Sequence, residues 1–211
     1  MGRPFGSPNQ PEFQTSVLKH VLKLLEAPKG PILEDFPKDA PDMKDQPAPV
    51  TQLVCPISFD AGKEHLSETE RLLESFAEEF SQMKTWYEKY LTKNGRTTVG
   101  ISGLSPEEAR DLMTTFIRNE KSIEISPELS IADTLRMAIE DIKALYFEAV
   151  SAQPGQPTDS RSLAEWFWGK TAAAQVINEI RKISLQKDTK EMKLLGKLLL
   201  IPRNQLYRFE K

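Results

Sequence analysis

The stretch that decides the fold is SETERLLESFAEEFSQMKTWYEKYLTKNG, residues 67 to 95. Ser67 followed by Glu70 is a capping box, a pair of side chains that closes the first turn of a helix. Apolar residues then recur every three or four positions and so share one helix face: Leu73, Phe76, Phe80, Met83, Tyr87 and Tyr90. Asn94-Gly95 supplies a C-terminal stop. The pattern predicts one amphipathic helix of about 27 residues.

Four further helices are predicted toward the C-terminus from capping pairs, apolar periodicity and prolines. Their expected ranges are Ser105 to Glu120, Ser130 to Ala152, Ser162 to Ile183 and Asp188 to Pro202. The loops between them are mostly short, which favours antiparallel neighbours. We therefore expect residues 65–211 to form an irregular bundle of about five main helices, and the fold class to be mainly α.

The first 64 residues have a different composition. Ten of the fifteen prolines lie before residue 60, and each removes a backbone donor and restrains the residue before it. Only residues 12–27 show helical spacing, with the apolar residues Phe13, Val17, Leu18, Val21, Leu22 and Leu25. We expect a proline-rich, extended arm over residues 1–64 that carries this one short helix and docks on its own chain or on a partner.

Two short segments have the composition of strands, Thr97 to Ile101 and Ser122 to Ile125. Two alternatives stay open, because an isolated pair of strands is only marginally stable. The segments either form a small antiparallel ribbon or remain loops.

Composition and charge exclude several classes of function. A formal net charge of −3 argues against a nucleic-acid binder, which needs a positive field. No apolar stretch reaches the roughly 20 residues that span a bilayer, and no signal peptide is recognised. Cys55 is the only cysteine, so an intramolecular disulfide is impossible. We expect a cytoplasmic protein that binds neither nucleic acid nor membrane.

The loop before the second predicted helix of the bundle has two chemical interpretations. Gly100-Ile101-Ser102-Gly103 lacks the final glycine of a nucleophile elbow, and no histidine follows Ser102 in the chain. Free amides near a helix N-terminus could instead hold an anion, with Gly100, Ser102, Gly103 and Ser105 as its site. The structural alternative is an ordinary turn eased by its glycines.

Metal and thiol chemistry have little support. Two histidines and one cysteine cannot make a usual zinc site, and no glutamate stands three residues before either histidine. Four acids on one predicted helix are interpreted as a solvated face: Asp133, Glu140, Asp141 and Glu148. Cys55 is either a reactive thiol or a small buried apolar residue. We therefore expect neither a metal nor a cofactor.

Two features point toward binding of a protein. Trp166, Phe167 and Trp168 are consecutive, so on a helix they point about 100° apart and at least one should lie near the surface or under the arm. Charge is also uneven: residues 34–45 carry five acids and two lysines, whereas residues 181–211 carry nine basic and three acidic residues. Segments of opposite charge would attract each other, within one chain or between two.

These observations favour a non-enzymatic interaction protein, an accessory, assembly or scaffold subunit. Its arm and aromatic residues, with Phe36, Trp166 and Trp168 as contacts, would bind a protein partner or a second copy. The alternative is an enzyme or enzyme subunit with a ligand pocket between helices. Its first candidates would be Tyr87, Tyr90, Tyr146, Glu148 and Glu165.

Overall fold

The computed structural model describes residues 5–6, 10–38, 66–119, 129–154 and 160–210. The chain divides into two compact units, Met1–Ala48 and Pro49–Lys211. The described residues contain helices and no strand, which confirms the prediction of a mainly α fold.

The described residues of the first unit contain one helix, α1, over Pro11–Leu24. The second contains α2 over Glu68–Asn94, α3 over Pro106–Arg118, α4 over Ile131–Ala152, α5 over Ser160–Lys170, α6 over Ala172–Gln186 and α7 over Lys190–Leu194. A π-helical turn, Leu195–Leu199, continues directly from α7, and a 3-10 helix, Arg203–Arg208, follows it.

The beginnings of α2 and α3 follow the local sequence signals. Ser67 and Glu70 form the capping box of α2, and Ser105 and Glu108 form that of α3. Helix α2 ends at Gly95, whose φ of 65° is left-handed and therefore favours glycine. Local chemistry was thus sufficient to predict where these helices start and where α2 ends.

Helix α4 lies at the centre of the second unit. It packs against α2, α3 and the π-helical turn, and side chains on most of its circumference are buried. The largest fully buried side chains nearby include Phe76, Phe80, Leu135, Ile142 and Tyr146. Helix α6 packs on α2, α3 and α5 and completes the same core.

The predicted helix from Ser162 to Ile183 is wrong in one respect, because the structure breaks it into α5 and α6 at Thr171. Thr171 has extended backbone and its hydroxyl oxygen accepts a hydrogen bond from the amide of Ala174. It therefore acts as an N-cap. Ser162 lies inside α5, which begins at Ser160, and does not open a helix.

The C-terminal segment closes over α6. Helix α7 begins after Thr189, whose side chain makes no capping hydrogen bond, so the predicted Asp188–Glu191 box is not the start of this helix. A Cβ on Gly196 would lie 2.9 Å from the Leu185 side chain and 3.1 Å from the Arg181 carbonyl oxygen. Glycine at this position thus permits the close approach of the π-helical turn to α6.

In the first unit, the chain after α1 returns alongside the helix. The Phe36 ring packs edge-on against Phe13, with centroids 5.8 Å apart, and against His20 at 5.3 Å. Glu34 lies 3.7 Å from His20 Nε2. His20 is therefore half-buried in this contact.

None of the helices in the described ranges combines the length and the apolar character that crossing a bilayer requires.

Candidate functional site

The predicted anion-binding loop holds a carboxylate of its own chain. The backbone N–H groups of Gly100 and Ile101 donate to Asp141 Oδ1 at 2.7 and 3.0 Å. The N–H of Ser102 donates to Oδ2 at 3.0 Å, and the Ser102 hydroxyl donates to the same oxygen. Consecutive amides directed at one anion form a nest. The group that these amides bind is thus Asp141 of the same chain.

A second carboxylate on α4, two turns further along, holds the beginning of the loop. Thr98 donates through its N–H at 2.7 Å and its hydroxyl at 2.8 Å to Glu148 Oε1. The Thr97 hydroxyl donates to Oε2 at 2.7 Å and accepts from the Tyr87 hydroxyl at 3.0 Å. Residues 97–102, together with Asp141 and Glu148, are called the anchored loop below.

The anchored loop corrects the interpretation of the acids on α4. Asp141 is 1% exposed and Glu148 is 7% exposed, so these two acids do not lie on a solvated face. Asp133 is exposed, and Glu140 is half-buried and pairs with Lys143 at 2.6 Å. A spacing of seven residues places Asp141 and Glu148 on the same side of the helix, toward the loop.

Two other expectations about this region have clear outcomes. Thr97 to Ile101 forms no strand, because its amides donate to carboxylates; the expected partner, residues 122–125, lies outside the described residues. Ser105 does not join the anion-binding loop, because its hydroxyl caps α3 at the Glu108 amide. Gly103 adopts a φ of 73° and makes the turn into that helix.

A third buried carboxylate, Glu79 on α2, holds the start of α6. Its two oxygens accept hydrogen bonds from the N–H groups of Ala172 at 2.9 Å and Ala173 at 3.0 Å. Together with Thr171, it satisfies the first three amides of α6. Burial raises the pKa of Glu79 above its ordinary value, and the two amide donors oppose that shift.

The tyrosines of the enzyme alternative are mostly core residues. Burial raises the pKa of Tyr146 well above 10, and the nearby Glu79 carboxylate adds to that shift. The Tyr146 hydroxyl is buried beside that carboxylate without a hydrogen bond of normal geometry. Burial also raises the pKa of Tyr87, against the hydrogen bond with Thr97. Tyr90 is half-buried.

The aromatic triplet on α5 is buried, so the expected ring near the surface is not found. Trp166 and Trp168 are 2% and 5% exposed, and Phe167 is completely buried. Trp166 and Phe167 lie against Tyr146, with centroids 6.3 and 5.7 Å apart. Trp168 is covered by Phe209, which follows the 3-10 helix, at 6.3 Å. Since α5 has neighbours on several sides, residues 100° apart all find cover.

A groove of about 640 Å³ runs between α2 and α6. Its polar walls include Glu68, Gln175 and Glu179, and two of its lining residues, Glu79 and Asn178, are buried. The Asn178 side-chain oxygen is buried without a hydrogen-bond partner. Sequence reasoning missed both residues; the only signal was a polar residue interrupting each apolar face, Glu79 beside Phe80 and Asn178 beside Ile177.

Helix α1 carries an exposed apolar face. Leu18, Val21, Leu22 and Leu25 are 49%, 51%, 59% and 80% exposed, whereas Val17 on the neighbouring face is buried. The single apolar stripe that was predicted for this helix is thus divided between two of its faces. Phe13 and Val17 belong to the side that meets the returning chain, and the leucines face outward. Phe36, expected to contact a partner, instead packs on α1.

Cys55, His65 and the acidic residues 39–45 lie outside the described residues. Glu165 forms an ion pair with Arg208 on the surface of the second unit. Within the described ranges, no group of three or more histidine, cysteine or acidic side chains is arranged to hold a metal ion.

Helices α2, α4 and α6 thus form the framework of the second unit, and α1 carries an exposed apolar face in the described part of the first. Comparison of the chain with sequence models of protein families, with curated proteins and with solved structures finds no match.

Proposed function

We propose that this is a non-enzymatic interaction protein, an accessory or assembly subunit, whose proline-rich arm presents α1 to an apolar groove on a protein partner. The observation that carries the proposal is the exposed face of α1. Leu18, Val21 and Leu22 on this face, with Leu25 directly after the helix, follow the spacing i, i+3, i+4, i+7. Helices that bind in the groove of a partner use this spacing for their anchor residues.

The size of the anchors supports the same function. Three leucines and a valine on one short helix expose a contiguous apolar strip, and such strips mark interaction sites on small proteins. Burying one such side chain completely is worth about 1.5–3 kcal/mol. Phe36 and His20 on the other side hold the chain against α1, so the outward face is presented on a helix that is already formed.

The proposed binding surface therefore includes the arm, as expected, but not the two tryptophans of α5. Trp166 and Trp168 lie in the core of the second unit. A partner could reach them only after the fold had opened.

The proposal is tested by affinity purification with three baits: the full chain, Leu22→Glu and Lys19→Glu. Glutamate is a good helix former, so neither substitution breaks α1, but only the first places a charge on the apolar face. We expect proteins retained by the wild type and by Lys19→Glu to be lost from Leu22→Glu.

A purified partner from that set should then bind a peptide of residues 10–38, and the Leu22→Glu peptide should bind at least about tenfold more weakly. Equal retention of all partners by Leu22→Glu and by the wild type would overturn the proposal. Circular dichroism of the two peptides checks that both remain equally helical.

A further inference from the structure

The C-terminal segment of the second unit presents an apolar surface. Leu194 at the end of α7 and Leu198 and Leu199 in the π-helical turn are 51%, 53% and 42% exposed. Their neighbours Leu195 and Leu200 are each 1% exposed and belong to the core. The three exposed leucines, called the leucine patch below, are therefore held in place by buried residues of the same segment.

The π-helical turn is what brings Leu199 to the surface. In an α-helix, residues four apart share a face, so Leu199 would follow Leu195 into the core. A π-helical turn has hydrogen bonds between residues five apart, and here Leu200 takes the buried position in line with Leu195. Such turns are rare and are frequently found at functional sites. The turn in this chain enlarges the exposed apolar surface by one leucine.

Lysines without an ion pair alternate with these leucines. Lys190, Lys193 and Lys197 are exposed, and in the part of the chain that the structure describes none of them pairs with an acidic side chain. On the neighbouring helix α6, by contrast, Lys182 pairs with Glu179 at 2.6 Å. A molecule that binds the leucine patch should therefore combine apolar side chains with acidic ones.

The chain itself carries a stretch with that chemistry after α1. Leu33 is 99% exposed and Ile32 is 39% exposed. The next two residues, Glu34 and Asp35, are exposed acids, and Phe36 packs on α1 and holds the end of the stretch. Ile32, Leu33, Glu34 and Asp35 are called the acidic segment below. Its two apolar residues and two carboxylates match the leucines and the lysines of the leucine patch.

We propose that the leucine patch binds the acidic segment of a second copy of this chain, and that two copies exchange these segments in a closed dimer. Both surfaces are exposed in the single chain. Each contact involves few residues, so the dimer should be transient and should dissociate on dilution. The proposal does not depend on the function proposed for α1, because it leaves the exposed face of that helix free.

An anionic membrane would also attract the lysines, but it suits the leucine patch less well. The whole chain has a formal net charge of −3. The exposed acids Asp188 and Glu191 also lie among the lysines in the sequence, and anionic headgroups would repel them. Acidic side chains of a protein can instead be placed beside individual lysines.

The test uses two variants of the full chain, each of which disables one side of the contact. Leu33→Glu adds a charge to the apolar part of the acidic segment, and Leu198→Glu places a charge in the leucine patch. Both positions are exposed, so neither substitution alters the core. Leu22→Glu, on the exposed face of α1, is the matched control. Sedimentation velocity at increasing protein concentration measures the dimer, and circular dichroism checks that each variant keeps the helical content of the wild type.

We expect the wild type and Leu22→Glu to dimerise with the same dissociation constant. Leu33→Glu and Leu198→Glu should each dimerise at least about tenfold more weakly on their own. Their equimolar mixture should form a heterodimer, because the intact patch of Leu33→Glu can bind the intact acidic segment of Leu198→Glu. This heterodimer has one contact instead of two, so it should need a higher protein concentration than the wild-type dimer.

A wild type that stays monomeric at every concentration would overturn the proposal, and so would dimers of Leu33→Glu or Leu198→Glu as tight as that of the wild type. A mixture without heterodimer would also contradict it, because the two contacts would then not be reciprocal between copies. If Leu198→Glu loses helical content, Lys197→Glu replaces it in the mixture. Loss of the dimer in Leu22→Glu would assign dimerisation to α1, whereas partner capture by that helix is measured separately by affinity purification.

Discussion

Glu79 on α2 accepts a hydrogen bond from the backbone N–H of Ala173, a residue 94 positions further along the chain, at 3.0 Å. With the matching bond from Ala172, this carboxylate caps a helix that belongs to a distant part of the sequence. The contact determines where α5 ends and α6 begins, and it places a titratable group in the core.

We expect Glu79→Ala to lower the free energy of unfolding by about 1–3 kcal/mol near neutral pH, because the N–H groups of Ala172 and Ala173 lose their acceptors. Equilibrium denaturation with urea measures the loss. Glu78→Ala, the neighbouring substitution on the exposed side of α2, should change the free energy of unfolding by less than about 0.5 kcal/mol.

The raised pKa of Glu79 also predicts a dependence of stability on pH. The folded protein keeps the proton on Glu79 over a range above the ordinary value of 4.5, where the unfolded chain has already lost it. The contribution of this group to stability is therefore greatest at low pH and falls as pH rises through the pKa of the folded state. In denaturation curves from pH 4 to 8, the wild type should lose stability relative to Glu79→Gln as pH rises. A difference between the two proteins that is independent of pH would contradict the assignment.

Replacing Asp141 of the anchored loop with asparagine, which has nearly the same shape, should lower the free energy of unfolding strongly. Asp141→Asn replaces one carboxylate oxygen with an N–H₂ group that faces donors, so we expect a loss of about 2–3 kcal/mol in the free energy of unfolding. Glu140→Gln, one residue away on the half-buried side of α4, should cost less than about 0.5 kcal/mol. Similar effects of both substitutions would show that the loop amides have other acceptors.

At Gly100, glycine is required by the backbone conformation and not by a lack of space. Its φ is 122°, and a Cβ at this position would meet no atom within 4 Å. Gly100→Ala should therefore destabilise the protein by about 1–3 kcal/mol through backbone strain alone. Gly30→Ala, where space is also open and φ is not left-handed, is the control and should be nearly neutral. Thermal unfolding of both variants measures the difference.

Trp166 and Trp86 differ in burial, so replacing each with alanine tests this difference. Trp166→Ala should cost about 3–5 kcal/mol, because the ring lies in the core against Tyr146. Trp86 is half-buried with Lys89 over its ring, so Trp86→Ala should cost clearly less. Fluorescence quenching by acrylamide offers an independent measurement, in which Trp86 should account for most of the quenchable emission.

Elements with local signals could be predicted from the sequence. The start and end of α2 depend on Ser67, Glu70 and Gly95, which act within one turn of themselves, and each behaves as expected. The mainly α class follows from apolar spacing in the same way. One half of the junction between α5 and α6 could not be predicted, because Glu79 is far in the sequence from the amides of Ala172 and Ala173 that it binds. The other half, the cap that Thr171 places on the amide of Ala174, is a local signal that sequence reasoning missed.

The candidate site shows the same limit. From the sequence, the loop around Ser102 was left open between an anion site and an ordinary turn; its amides bond to Asp141, which is 39 residues from Ser102. An acid on a helix that has no partner in its own sequence neighbourhood resembles a solvated acid. Only the packing of α4 against α2 and α3 brings it to the loop.

The anchored loop has a consequence for the local dynamics of the protein. Amide hydrogens outside helices and strands usually exchange with deuterated solvent within seconds, but those of Thr98, Gly100, Ile101 and Ser102 are each bonded to a buried carboxylate. Releasing them requires the loop to leave α4, which would strip Asp141 and Glu148 of their partners in a dry environment. This stretch of irregular backbone should therefore be protected as strongly as the central helix, and it should move with α4 as one rigid piece.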